Sequence, residues 1–320
     1  MEDGTTVMNA VIPDRARGER LDKVLASVFP PYSRSQLQLW IRQGRITIHG
    51  RIPHGRELVS GGEAVRLEVP RPEPVAWQPQ DLPLELVYED ADILVIDKPA
   101  GVVVHPGAGN PDGTLANAIL YHFPELAALP RAGLVHRIDK GTTGLLVVAR
   151  NEHARSKLIR ALECHAVSRC YLAVVDGIPI SGGTLDQPIG RHPRNRLRMA
   201  VNPNGKPAVT HYRVEEKFRA HALLSVELET GRTHQIRVHL SKAGYPLVGD
   251  VLYGRRLRIP AGASGKFAEM LRGFKRQALH ARSLTLTHPR TGKSLNWKSP
   301  VPPDLAQLLS TLRSEQRSDP

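Results

Sequence analysis

The stretch that most narrows what this chain can fold into is Gly133–Arg150, GLVHRIDKGTTGLLVVAR. Two apolar runs flank a polar insert, His136 to Lys140, and a Gly-Thr-Thr-Gly turn. Leu145 to Ala149 is short, contains β-branched residues and is bounded by Gly144 and Arg150, which predicts a fully buried strand. Asp139 then falls in the turn that enters a core strand, beside Arg137 and Lys140. Cations on either side hold a carboxylate in place at the mouth of a sheet. On these residues alone Asp139 is either a nucleophile or a salt-bridged loop anchor, and the anchor is the commoner case.

A length of 320 residues has room for one large domain and a small one, and 41% apolar residues can supply a core. The 44 basic against 31 acidic residues leave a net charge of +13, which points to a polyanion as partner, most often nucleic acid. No apolar run approaches the length of a spanning helix, so a membrane partner is not expected. The N-terminus lacks a basic segment followed by an apolar one, so no secretory signal is expected. Cys164 and Cys170 make no disulfide framework; they read as small core or near-core residues and fit a reducing cytoplasm. Without a long exposed apolar helix, a monomer is expected.

In chain order, residues 1–14 read as a loose lead-in. Leu21, Val24, Leu25 and Val28 fall at helical spacing, and Pro30 and Pro31 stop that helix. Ser33 and Gln36 suit a capping box for a second helix whose apolar face is Leu37, Trp40 and Ile41, closed by Gly44. Short alternating strands follow at Ile46–Ile48 and Val65–Val69. Arg34, Arg42, Arg45 and Arg51 lie on or near the helices, where phosphate contacts and ordinary surface charge are equally good readings. Pro70, Pro72, Pro74 and Pro79 mark a stiff linker.

The larger domain opens with strand-like runs at Leu84–Tyr88 and Ile93–Ile96, with a restart at Val102–Val104. A helix is expected from Leu115 to Pro124, and another after Asn151 as N-cap. Arg169–Val175 reads as a strand, on which Tyr171 is ordinarily a half-buried packing residue. Residues 191–213 form the densest basic loop, with Arg191, Arg194, Arg196, Arg198, Lys206 and Arg213, for which RNA backbone contact is favoured over simple solvation. Arg255, Arg256, Arg258 and Lys266 form a second cluster. A helix capped by Thr233 and closed by Gly244 carries Ile236 and Leu240 on its core face. His234 and His239, five apart, share neither a helical nor a strand face, and nothing completes a ligand set, so metal binding is rejected.

HRIDKGTTGLLVV resembles the catalytic signature of the RluA-type pseudouridine synthases. VYEDADILVIDKPAGVVVHPGAGNPDGT from Val87, MAVNPNGKPAVTHYR from Met199 and LETGRTHQIRVHL from Leu228 extend the resemblance over most of residues 15–305. Ile138 and Gly141 stand where the family pattern has Leu and Asp. The resemblance implies an α+β chain: a mixed, largely antiparallel-sheet catalytic domain at 81–312, preceded by a small α/β RNA-binding domain of the S-four ribosomal-protein type at 15–75. A linker at 76–80 and a disordered tail at 313–320 complete that division. It implies that Asp139 performs the chemistry, that Tyr171 stacks on the flipped uracil, and that Arg237 pairs with the aspartate. Arg137 would hold a phosphate or fill the space left by the flipped base. A structural arginine–carboxylate pair is equally compatible with Arg237.

The implied reaction is the isomerisation of uridine to pseudouridine in 23S ribosomal RNA, at the stem-loop of helix 69, with no cofactor. A non-catalytic ribosome-assembly factor, a nucleoside hydrolase, and the same chemistry on another RNA such as tRNA are the competing readings.

Overall fold

The structure, a computed structural model, describes residues 6–30, 32, 34–69, 77–107, 109–195, 197–257, 259–260 and 262–317. They fall into two compact units, within residues 1–76 and 77–320.

The first unit comprises β1 (Thr6–Val11), α1 (Leu21–Val28), α2 (Arg34–Arg42), β2 (Ile46–Ile48) and β3 (Ala64–Val69), with an antiparallel sheet in the order β1-β3-β2. Leu21, Val24 and Leu25 from α1 and Leu37, Trp40 and Ile41 from α2 close over Ile46, Ile48, Val65 and Leu67. Asp22, fully buried, accepts hydrogen bonds from Arg20, Arg34 and Gln38. Burial alone would raise its pKa, but these three donors more than offset that and bring it down to about 2. Arg34 therefore ties α2 to α1. Residues 6–11 are a strand paired along their whole length with β3, and Ile12 behind them is fully buried. The lead-in reading fails there because Met8 and Ala10 pack on the core while Val7 and Val11 stay exposed, an alternation too weakly apolar to stand out in the sequence. Pro31, Ser33, Pro70, Pro72 and Pro74 lie outside the described residues.

The second unit runs β4 (Leu86–Glu89), β5 (Ile93–Lys98), α3 (Leu115–His122), β6 (Thr143–Ala149), α4 (Glu152–Glu163), β7 (Ser168–Asp176) and β8 (Gly183–Asp186). It continues β9 (Ile189–Arg191), β10 (Met199–Val201), β11 (Val209–Lys217), β12 (His221–Leu228), α5 (Gln235–Lys242), α6 (Gly265–Gly273), β13 (Leu279–Thr287), β14 (Ser294–Lys298) and α7 (Pro303–Arg317). A nine-stranded sheet has the order β4-β5-β6-β13-β7-β12-β11-β8, with β14 also paired to β13. Among its pairings only β6 with β13 is parallel. The chain is thus α+β, with a mixed and largely antiparallel sheet.

Helices and loops cover both faces of the central strands. Leu146 and Val148 of β6 face one core with Leu94, Ile96 and α3; Leu145, Val147 and Ala149 face another with Ile93, Val95, Ala154 and Leu158. A strand covered on both sides reads as an unbroken apolar run, which is why β5 and β6 stand out in the sequence. Asn151 caps α4 by accepting from the Ala154 N–H at 2.9 Å.

Other expectations change. Residues 77–80 belong to the second unit: Asn117 donates to the Gln78 carbonyl at 2.7 Å, the Gln80 N–H donates to the Asn117 carbonyl at 3.1 Å, and Trp77 packs on the core. Val102–Val104 is not a strand; the Val103 and Val104 carbonyls instead accept the first N–H groups of α3. The basic stretch holds the hairpin β9–β10 and the start of β11 rather than one loop. Lys266 sits in α6, and Arg196 and Arg258 lie outside the described residues. The tail to Arg317 is helical because Leu308 and Leu312 are buried and the Glu315 carboxylate accepts the Ser264 N–H and hydroxyl at the start of α6. Cys164 is exposed at the end of α4, not near a core, and Cys170 is half-buried.

Gly144 joins the turn to β6 at φ 107°, and an added Cβ would lie 2.2 Å from the Ala281 carbonyl oxygen on β13. Gly144→Ala is therefore expected to cost at least about 3 kcal/mol, from strained backbone and displaced strands together. Denaturant unfolding measures it, and an unshifted midpoint would contradict the parallel pairing.

Candidate active site

The segment after Asp139 is fastened at every residue. The Asp139 carbonyl accepts from the Thr142 N–H at 3.0 Å, and the Gly141 carbonyl accepts from Arg276 at 3.1 Å. The Lys140 carbonyl accepts from the Gly101 N–H at 2.8 Å and from Lys98 Nζ at 3.2 Å. Thr142 Oγ1 accepts from Gln277 at 3.0 Å. Gly141, the departure from the family pattern, has Gln277 where a side chain would begin: an added Cβ would meet the Gln277 amide oxygen at 2.6 Å. Upstream, His136 Nε2 accepts the Val147 N–H at 2.9 Å and ties the entering segment to β6.

Lys98, with no exposed surface, also donates to the carbonyls of Pro99 at 2.7 Å and Val102 at 2.9 Å. It holds two loops together under the Asp139 turn. Burial depresses its pKa to about 7, with Asp139 acting in the opposite sense.

Arg237 on α5 lies across from this turn. Its NH1 donates to Asp139 Oδ2 at 3.0 Å, while Nε and NH2 form a two-pronged pair with Asp250 at 2.7 and 2.9 Å. Burial works against the Arg237 cation, but Asp250 and Asp139 outweigh it and raise its pKa. Burial likewise opposes the Asp250 charge, yet Arg237 and the N–H groups of Leu252 and Tyr253 hold its pKa low. Asp139 keeps 14% of its side chain exposed and Asp250 none, so the same guanidinium joins an open carboxylate to a sealed one.

The helix carrying Arg237 starts later than Thr233. His234 is its N-cap, in the left-handed region at φ 59°. The Gln235 side chain fixes this corner: its oxygen accepts from Thr230 and the Arg232 N–H, and its nitrogen donates to the Val209 carbonyl and to Thr210. His234 turns into the site. Its Nε2 is 3.9 Å from Asp139 Oδ1, and its Nδ1 is 2.7 Å from the Tyr253 hydroxyl, whose oxygen accepts the Met199 N–H of β10. Burial lowers the His234 pKa and favours the neutral ring. Tyr253 also carries the guanidinium carbons of Arg198 and Arg237 at 5.2 and 4.9 Å from its ring centre. His239, by contrast, spends both ring nitrogens on Thr210 and the Gln187 carbonyl.

Tyr171 on β7 lies opposite Ala281 of β13 and Val226 of β12, and is 5% exposed, more buried than expected. Burial raises its phenol pKa. It lines one cavity of about 50 Å³ with Arg137, Asp139, His234 and Arg237. The fold thus brings together Asp139, Tyr171, Arg237 and Arg137. Arg191 and Arg194 are exposed on or beside the hairpin, Lys206 is exposed after it, and Arg198 turns inward onto Tyr253. Arg34, Arg42 and Arg45 belong to the first unit, Arg34 bound to Asp22. Asp90, Asp92 and His288 also cluster, but Arg290 engages both Asp92 oxygens at 2.6 Å and His288 bonds Asp90. Sequence reasoning missed Asp250, Tyr253, His234 and Lys98. All four lie in stretches that resemble the family, Lys98 in VYEDADILVIDKPAG, His234 in LETGRTHQIRVHL and the other two in GDVLYG, but nothing in those stretches singles them out.

The chain is 54% identical over 309 residues to the ribosomal large subunit pseudouridine synthase D of Pseudomonas aeruginosa, covering 97% of each chain. It belongs to the pseudouridine synthase family. Residues 92–242 of this pseudouridine synthase match the RNA pseudouridylate synthase model, and residues 19–62 match the S4 domain. Proteins of the same name from Xanthomonas campestris and Escherichia coli K12 are 53% and 50% identical, over 97% and 96% of this chain and 94% and 95% of theirs. Among solved structures, human RNA pseudouridylate synthase domain containing 4 aligns with a TM-score of 0.55 at 26% identity, over 72% of this chain and 93% of that one. No helix among the described residues is long and apolar enough to cross a membrane.

Two predictions test the site. Asp250→Asn breaks a buried ion pair and is expected to cost about 3–5 kcal/mol, whereas Asp139→Asn, leaving that pair intact, costs less. Denaturant unfolding of the two variants gives the order, and the reverse order would remove Asp250 as the main anchor. Lys98 binds a proton more weakly folded than unfolded, so its contribution to stability is present above its ordinary pKa of 10.5 and is lost as pH falls through about 7. Between pH 7 and 10 the melting temperature should therefore rise in the wild type relative to Lys98→Met. A constant difference would contradict the depressed pKa.

Proposed function

We propose that this pseudouridine synthase isomerises uridines of 23S ribosomal RNA in the cytoplasm, contributing to maturation of the large ribosomal subunit, with Asp139 as its catalytic carboxylate. The observation that carries this reading is the Asp139–Arg237 pair in one cavity with Tyr171. The names of the relatives support the large-subunit RNA, and the resemblance to the RluA-type enzymes supports the stem-loop of helix 69 as the target. The protein acts as a monomer, and the chemistry needs no cofactor.

The glycosidic bond from ribose C1′ to uracil N1 breaks, the ring turns, and C1′ bonds to C5. The hydrogen on C5 is lost and N1 gains one, so the product is an isomer of the substrate. A carboxylate beside an electron-poor sugar carbon suits such a step, as in glycoside cleavage. Asp139 either adds to C1′ or removes the C2′ proton; both need the carboxylate oxygen turned to the sugar, and Arg237 holding Oδ2 leaves Oδ1 for that purpose. The target base must leave its stack, which costs a few kcal/mol and least in a loop. Tyr171 then stacks on the flipped ring, worth about 1–3 kcal/mol. Arg137, exposed at the rim, holds the phosphate or fills the gap in the RNA, and the arginines of the hairpin add affinity without sequence choice.

Tritium release from C5 of uridine in a large-subunit rRNA transcript tests the reading. The wild type should release tritium, and Asp139→Ala should lose at least about a thousandfold in rate while still binding the RNA. Release by the Asp139 variant at the wild-type rate would overturn the assignment. RNA bound by the wild type without release would favour an assembly factor, free uracil a hydrolase, and release only from tRNA another substrate.

A further inference from the structure

Beside the catalytic cavity lies a second and much larger one, an open crevice of about 520 Å³, within the usual range of ligand sites at roughly 300–1,000 Å³. Arg137, Arg169, Gly231 and Arg232 line both, so they form a common wall. Leu134, Ile159 and Leu162 give the crevice an apolar floor, and Arg131 stands exposed at its edge. Glu163, also exposed, is its one carboxylate.

Two buried donors on these walls have no hydrogen-bond partner. Arg169, 7% exposed, uses NH2 on the carbonyls of Leu228 and Glu229 at 3.4 and 3.2 Å, while its Nε–H meets nothing. It forms no ion pair among the described residues, and a buried cation without an anion is costly. Gly231 brings the backbone against this guanidinium: an added Cβ would sit 2.8 Å from NH1. The second donor is His136. Its Nε2 accepts the Val147 N–H, so in the neutral ring the proton is on Nδ1, and that atom is buried and unpartnered. Burial, with Arg169 adding to it, takes the His136 pKa down to about 3, which keeps the ring neutral. Both of these atoms are sealed from the crevice, so what Arg169 offers a ligand there is NH1, which engages no group among the described residues and calls for an acceptor such as a phosphate oxygen.

We propose that the crevice is a second nucleotide subsite, which receives the residue adjoining the target uridine while Arg169 and Arg232 hold the phosphodiester that links the two. This rests on the reading of the smaller cavity as the uridine site. A chain with one nucleotide in that cavity must cross the common wall to leave it, and there the unpaired Arg169 meets its linking phosphate. The neighbouring base lies on the apolar floor of Leu134, Ile159 and Leu162.

The test uses the full-length protein and an RNA hairpin with a single loop uridine, compared with two hairpins lacking the base on one side or the other of it. Equilibrium binding and tritium release are both measured. Removal of one neighbouring base, but not the other, should weaken binding about tenfold. Ile159→Trp, which fills the floor, should weaken binding of the intact hairpin by a similar factor and erase the difference between hairpins; Leu162→Trp is a second plug should the first fail to fold. Equal binding of all three hairpins by the wild type would overturn the subsite, as would full discrimination by a folded plug variant. Discrimination in binding without tritium release would support the subsite and count against the proposed reaction, so the two failures are distinct.

Discussion

The candidate site depends on one arginine shared between two carboxylates. Asp250 is sealed, held by two backbone N–H groups and by two of the Arg237 nitrogens. Three side-chain hydrogen bonds leave the guanidinium little freedom, and the one that reaches Asp139 points across from a helix to a turn. The arrangement separates two tasks that a lone ion pair would confuse. The buried bond is the costly one to break, since removing either partner strands a charge in the interior. The partly exposed bond fixes the direction of the Asp139 carboxylate, the pre-orientation that the proposed reaction calls for.

Rigidity on the other side comes from the sheet. The turn from Asp139 to Thr142 has its polar groups taken by Lys98, Gly101, Arg276 and Gln277, and it feeds directly into a strand buried on both faces. Gly144 lets that strand lie against β13 in parallel, and the next strand over, β7, presents Tyr171. The position of the aromatic ring relative to the carboxylate is therefore set by three adjacent strands and the tied turn that enters the first of them, which suits a site that must hold its groups closely.

The strength of the apolar signal decided how much could be read in advance. β5, β6 and β12 were legible because burial on both faces, or clean alternation, leaves a mark within a few residues. That Asp139, Tyr171 and Arg237 come together was legible only through resemblance, since spacing alone left each a plain structural reading. β1 was missed because Thr6 to Val11 buries only part of one face. Lys98 was missed because nothing local distinguishes a lysine beneath a turn from one on the surface. Asp250 and Tyr253 meet Arg237 only after α5 has returned toward the site, a contact no window of sequence contains. The start of α5 was misplaced by one residue because Gln235, a side chain that bonds two segments at once, forces His234 into a left-handed cap.

Net charge was a sound guide to the class of partner and a poor one to its location. Several cations that contribute to the +13 are committed to internal pairs: Arg34 to Asp22, Arg290 to Asp92, Arg276 to Asp304 and Arg313 to Glu216. Arg198, one of the hairpin arginines, lies on Tyr253, so that ring lies near one arginine from the basic hairpin and another, Arg237, from the pair with Asp139. The Met199 N–H and His234 complete this link, which runs from β10 through a single hydroxyl to within 3.9 Å of Asp139. Tyr253 therefore meets both the basic hairpin and the His234 ring. The arrangement joins an exposed basic hairpin to the surroundings of Asp139, through hydrogen bonds of 2.7 Å at each step up to the imidazole.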